Sequence, residues 1–210
     1  MKTIIYSPGD PAGIGPDIFL SLMHEGFFEY IKANVVCMGD KELFHSRSKE
    51  LGYSLEINSF SNINDINEKV GFLEIIKCHD ISSGILNSTN SEYVIENLDF
   101  AIDTCIKKMG FGLVTGPISK ENIIEGGYSF SGHTERIMQK TNSDNVLMLL
   151  ASERLKVALA TTHMPISKVP ESITKELIFN KVKILNQELK EKFNICLLYT
   201  SPEPTRQLCI

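Results

Sequence analysis

The stretch Thr3-Ile4-Ile5-Tyr6-Ser7-Pro8-Gly9-Asp10-Pro11-Ala12-Gly13-Ile14-Gly15-Pro16-Asp17 decides the fold class of this chain. Thr3–Ser7 is a short β-branched run and reads as a strand. Three glycines and three prolines between Pro8 and Asp17 fix a rigid turn, in which backbone can approach a ligand closely. Ile14–His24 then offers a helix carrying Ile18, Phe19 and Leu22. The glycines do not make a dinucleotide fingerprint, because G-x-G-x-x-G from Gly13 requires glycine where Ile18 stands. They do not make a P-loop either, since no Gly-Lys-Ser/Thr follows. A tight strand-to-helix turn accounts for the spacing equally well.

Outward from this unit the alternation continues. Val35–Met38 reads as a buried strand, and Asp40 as the cap of a helix carrying Leu43 and Phe44. Ser54–Ile57 and Leu73–Ile76 are predicted strands around the polar connection Asn58–Asn67. Ser91 is expected to cap an amphipathic helix with Ile95, Leu98, Ile102, Ile106 and Met109 on one stripe. Gly112–Thr115 returns as a strand. Val146–Leu150 and Leu155–Ala160, joined by Ser152-Glu153-Arg154, suggest a hairpin. A last helix spans about Lys175 to Phe193, with Thr174 as N-cap and Ile173 packing on Ile178. Strands alternating with helices predict an α/β layered fold with a largely parallel sheet.

Composition narrows the function classes. The 210 residues are 42% hydrophobic and 22% charged, with net charge -5. With no basic block, nucleic acid is not an expected partner, and an anionic ligand must be held by a few placed cations. The apolar run at the amino terminus stops at Pro8, too short for a signal peptide or a bilayer span, so a cytoplasmic chain without membrane contact is expected. Cys37, Cys78, Cys105, Cys196 and Cys209 show no C-x-x-C spacing and read as reduced core residues.

Three further segments could carry chemistry. Leu113-Val114-Thr115-Gly116-Pro117-Ile118-Ser119-Lys120 runs from a strand through a turn into a short helix, and Lys120 is a candidate anion contact or a surface lysine. In Phe130-Ser131-Gly132-His133-Thr134-Glu135, Gly132 allows an unusual backbone angle. His133 and Thr134 supply donors for a phosphate or hydroxyl, although Thr134 could simply cap a helix. In Ala160-Thr161-Thr162-His163-Met164-Pro165, a histidine at a strand end is placed for a metal, whose other ligands must come from far away.

In their order and wording, G-D-P-A-G-I-G-P-D, V-T-G-P-I-S-K, S-G-H-T-E and V-A-L-A-T-T-H-M-P closely resemble the 4-hydroxythreonine-4-phosphate dehydrogenase family of pyridoxal phosphate biosynthesis. The resemblance runs from about Lys2 to Ile195 and is strongest from Gly112 to Pro165. It implies an isocitrate/isopropylmalate-dehydrogenase-like fold that binds its dinucleotide without the usual fingerprint, in keeping with Ile18. It implies NAD- or NADP-dependent oxidation of 4-phosphooxy-L-threonine and loss of carbon dioxide to give 3-amino-2-oxopropyl phosphate. A divalent metal (Zn, Mg or Co) held by histidines, and a homodimer with the active site between subunits, follow from it too. On the matching motifs, His133 and Thr134 bind substrate and His163 is a metal ligand, while catalytic and cofactor-binding residues are left unassigned. Asp10 and Lys120 are candidates by position only. Relatives acting on threonate or erythronate 4-phosphate leave a second substrate class open.

The family places two more metal-binding histidines downstream, in N-P-H-A-G-E and Y-H-D-Q type segments, whereas no histidine follows His163 here. Cys196-Leu197-Leu198-Tyr199-Thr200-Ser201-Pro202 back-translates to TGT CTC TTA TAC ACA TCT CC, a transposon-type sequencing-library adapter. Residues 1–195 are therefore expected to be the amino-terminal portion of such a dehydrogenase, incomplete at the carboxyl end. Residues 196–210 are expected to be a non-native tail, loose or forming a makeshift strand. The chain by itself is expected to act as a non-catalytic phosphate-binding module.

Overall fold

The computed structural model describes residues 2–162 and 164–195. The chain divides into two compact units, 1–142 and 143–210, a boundary additional to the one expected at 195. The expected tail, with Cys196 and Cys209, lies outside the described residues.

In the first unit β1 (Lys2–Ser7) runs into α1 (Ile14–His24), followed by β2 (Ala33–Met38) and α2 (Lys41–Glu50). Then come β3 (Ser59–Phe60), β4 (Val70–Leu73), α3 (Ser91–Ile106), β5 (Gly112–Thr115), α4 (Lys120–Glu125) and α5 (His133–Thr141). The sheet order is β3-β4-β2-β1-β5, and every neighbouring pair is parallel. The predicted α/β layering with a parallel sheet is thus present. Ile5 in β1 pairs with Val36 on one side and Leu113 on the other.

Side chains alternate between the two covered faces, as expected for parallel strands buried on both sides. Ile5, Val36, Met38 and Leu73 pack with Ala101 of α3. Tyr6, Val35, Cys37 and Phe72 pack with Phe19, Phe44 and Leu98. Phe19 is the hub of this larger cluster, stacked on Tyr6 with centroids 5.0 Å apart and meeting Phe72 edge-on at 5.6 Å. Cys37 is buried and free, while Cys78 and Cys105 are free and half-buried.

Four expectations need correction. Ser54–Ile57 is not a strand, and the short edge strand follows at Ser59–Phe60. The next strand is Val70–Leu73 rather than Leu73–Ile76, because its ladder matches β2 from Val35↔Val70 to Met38↔Leu73 and stops where β2 stops. Gly71 disguises it in the sequence, yet glycine is required there because a Cβ would lie 2.5 Å from the Ile66 side chain. Ser91 is the first residue of α3 rather than its cap, and its hydroxyl donates to the Asn122 carbonyl at 2.9 Å. Met109 falls beyond the helix, which ends at Ile106.

In the second unit β6 (Met148–Ala151) and β7 (Lys156–Leu159) form the expected antiparallel hairpin. After α6 (Val169–Ser172) comes α7 (Lys175–Phe193), capped as expected by Thr174, whose hydroxyl oxygen accepts from the Leu177 amide at 3.1 Å. Ile173 and Ile178 stay 43% and 40% exposed. Leu189 is the one buried residue among the described residues of this unit. No helix among the described residues is long and apolar enough to cross a membrane.

Candidate functional site at the head of the fifth helix

β1 lies between β2 and β5, so the turns that leave β1 and β5 lie side by side at the carboxyl ends of their strands, the position where open parallel sheets gather functional loops. Two turns interlock there. The Gly116 amide donates to the Ser7 carbonyl at 2.7 Å, and the Asp10 amide to the Pro117 carbonyl at 3.1 Å. A Cβ on Gly9, where φ is +80°, would lie 2.2 Å from the Pro117 oxygen, and one on Gly116 would lie 2.1 Å from the Pro8 oxygen. These glycines let backbone approach backbone.

Asp10 has a structural place in this junction. It is 4% exposed. Its carboxylate accepts from the Ala12 amide at 3.0 Å and from Asn122 Nδ2 at 3.3 Å. Burial pushes its pKa up, and the Ala12 and Asn122 hydrogen bonds partly offset that rise. Asn122, which the sequence reading did not single out, also donates to the Asn87 carbonyl at 3.4 Å. Its only local signal is Ser119 three residues earlier, whose hydroxyl accepts from the Asn122 amide at 3.3 Å and caps α4.

Lys120 opens α4 and is exposed, and His133 opens α5. Gly132 occupies the cap position of α5 without any side-chain hydrogen bond, so the first amides of the helix lack a capping acceptor. Its backbone, at φ 161°, is ordinary extended chain rather than the unusual angle expected. A Cβ at Gly132 would lie 2.6 Å from Glu135 Oε2, the far end of a flexible side chain, and 3.7 Å from Lys120 Nζ. Thr134 is the second residue of the helix and does not cap it.

The His133 ring meets buried Phe130 edge-on, with centroids 5.8 Å apart. Its Nε2 is buried and has no hydrogen-bond partner. Burial lowers the imidazole pKa, and the Lys120 charge lowers it further. An orphaned ring nitrogen, an uncapped helix start and a lysine ammonium therefore converge, a combination suited to an anion. His163 lies outside the described residues. Among the described residues no three His, Cys, Asp or Glu side chains group to hold a metal.

A cleft of about 460 Å³ beside α2 is a poorer match for an anion. Asp40, Glu42, Glu50 and Asp80 line it, and its Arg47 is already paired with Asp17 and Glu50.

Fold and site together define a parallel-sheet α/β protein with a buried, unpartnered histidine nitrogen at a helix start. The family described as pyridoxal phosphate biosynthetic protein PdxA matches residues 31–197. The chain is 36% identical over 198 residues to the 4-hydroxythreonine-4-phosphate dehydrogenase of Sodalis glossinidius, covering 92% of this chain and 59% of that protein. It is 37% identical to the Vibrio cholerae protein of the same name, with the same coverage. The solved 4-hydroxythreonine-4-phosphate dehydrogenase of Klebsiella pneumoniae superposes with a TM-score of 0.79 at 21% identity, over 90% of this chain and 60% of that one. The chain belongs to the PdxA family, and it spans about three fifths of the length of the curated relatives it matches.

Proposed function

We propose that this chain serves the oxidation and decarboxylation of 4-phosphooxy-L-threonine to 3-amino-2-oxopropyl phosphate, with NAD or NADP and a divalent metal, in a cytoplasmic homodimer. The observation that carries the reading is the unpartnered His133 Nε2 at the uncapped start of α5, next to Lys120. The name shared by the relatives supports the substrate.

In this reading the described residues hold the phosphate end of the substrate. A phosphate oxygen accepts from His133 Nε2, others accept from the first amides of α5, and the Lys120 ammonium balances the charge. The Thr134 hydroxyl, in the same first turn, supplies a further donor. Glu135 lies over Gly132, so its carboxylate turns outward as the phosphate enters. Binding energy from the non-reacting phosphate orients the carbinol carbon, and the nicotinamide, when bound, takes the hydride. His163 is assigned to the metal, although the described residues build no metal centre of their own.

Calorimetric titration tests this reading. 4-Phosphooxy-L-threonine should bind, L-threonine should not, and His133→Ala should abolish the difference. Equal binding of the two compounds by the unmutated chain would contradict it.

A further inference from the structure

α5 presents His133 and Thr134, yet none of its own residues is buried. Ile137 packs against the core from one side. The polar attachment is to α3, whose Tyr93, Val94, Leu98 and Ala101 are buried, making it a fixed support. Arg136 Nε donates to Asp99 Oδ1 at 2.7 Å and Nη2 to Asp99 Oδ2 at 2.6 Å, a two-pronged grip. Lys140 adds a bond to Asp103 at 3.0 Å, one turn along both helices.

From this geometry we infer that Arg136 and Asp99 are positioning residues, a clamp on α3 that sets where α5 holds His133 and Thr134 against the phosphate. The inference rests on the phosphate reading above. Arg136 stands three residues after His133, so rotation of α5 about a loosened clamp moves the imidazole and the first-turn amides together. A planar guanidinium gripping both carboxylate oxygens fixes direction as well as distance, which a lysine cannot do.

The experiment titrates inorganic phosphate into the full 210-residue chain. Binding is followed at the Thr134 amide NMR signal, and the His133 imidazole pKa is measured separately without phosphate. Arg136→Ala should weaken binding roughly tenfold, as expected when donors shift by a fraction of an ångström. It should also let the imidazole pKa return toward its ordinary value. Arg136→Lys should fall between, and the charge swap Asp99→Arg with Arg136→Asp should restore both readouts. Unchanged phosphate affinity and imidazole pKa in Arg136→Ala overturn the clamp. Loss of affinity in both Arg136→Ala and the swap, with the imidazole pKa unchanged, also overturns it, because Arg136 then contacts the anion directly. If the unmutated chain shows no phosphate response at Thr134, the underlying phosphate reading fails and the clamp's role fails with it.

Discussion

The side-chain amide of Asn122 donates to the buried carboxylate of Asp10 at 3.3 Å, joining residues 112 positions apart. That bond ties the turn after β1 to the first turn of α4, the helix that begins with Lys120. A local change at either residue should therefore be felt in the stability of the whole first unit.

Asn122→Asp would place a second carboxylate against Asp10. Each negative charge raises the pKa of the other, so the folded state holds its protons to higher pH than the unfolded chain. Stability is then retained at low pH and lost as pH rises through the raised values. Urea denaturation should show the variant close to wild type near pH 4 and weaker by roughly 2 kcal/mol at neutral pH.

Gly116→Ala would drive a Cβ to 2.1 Å from the Pro8 carbonyl oxygen, and both sides of the contact are backbone. No side chain can rotate away, so β1 and β5 must separate. The expected loss is about 3 kcal/mol or more, measured by the shift in denaturation midpoint. Gly26→Ala has no atom within 4 Å of the added Cβ and tests strain at φ +67° alone. It should cost about 1 kcal/mol.

His133 gives the fold a pH dependence. Burial and the Lys120 charge hold its pKa below the ordinary 6.5. The unfolded chain takes up a proton near 6.5 while the folded chain does not until lower pH. Stability is thus full above that value and declines as pH falls below it. Denaturation at a series of pH values should show this slope, and His133→Gln should flatten it. Inorganic phosphate should reduce the slope in the unmutated chain, because a bound anion favours the imidazolium.

Glu135→Gln removes the negative charge lying over Gly132. Inorganic phosphate should then bind about threefold more tightly, the size expected for one partly exposed charge at a helix start. Equal or weaker binding would place the phosphate elsewhere.

Local signals carried much of the fold. The β-branched run of β1, the Asp40 cap of α2 and the Thr174 cap of α7 each act within a few residues and were readable one at a time. β4 was misplaced because its limits come from the β2 ladder and its glycine from the space beside Ile66. The S-G-H-T-E motif singles out His133 and Thr134, and the structure sets both in the first turn of α5, the place proposed for phosphate. The interlocked Gly9 and Pro117 turns, the Asn122–Asp10 bond and the Arg136–Asp99 clamp were not. Each joins residues more than thirty positions apart, and periodicity and capping rules do not reach that far.

The central claim is that phosphate binds at His133, at the start of α5. The most direct measurement is the pKa of the His133 imidazole, read from its ring-nitrogen NMR signals with and without inorganic phosphate. The account predicts a depressed pKa that rises as phosphate saturates, and a smaller rise in Lys120→Ala. Saturating phosphate that leaves the His133 signals and pKa unchanged would contradict it.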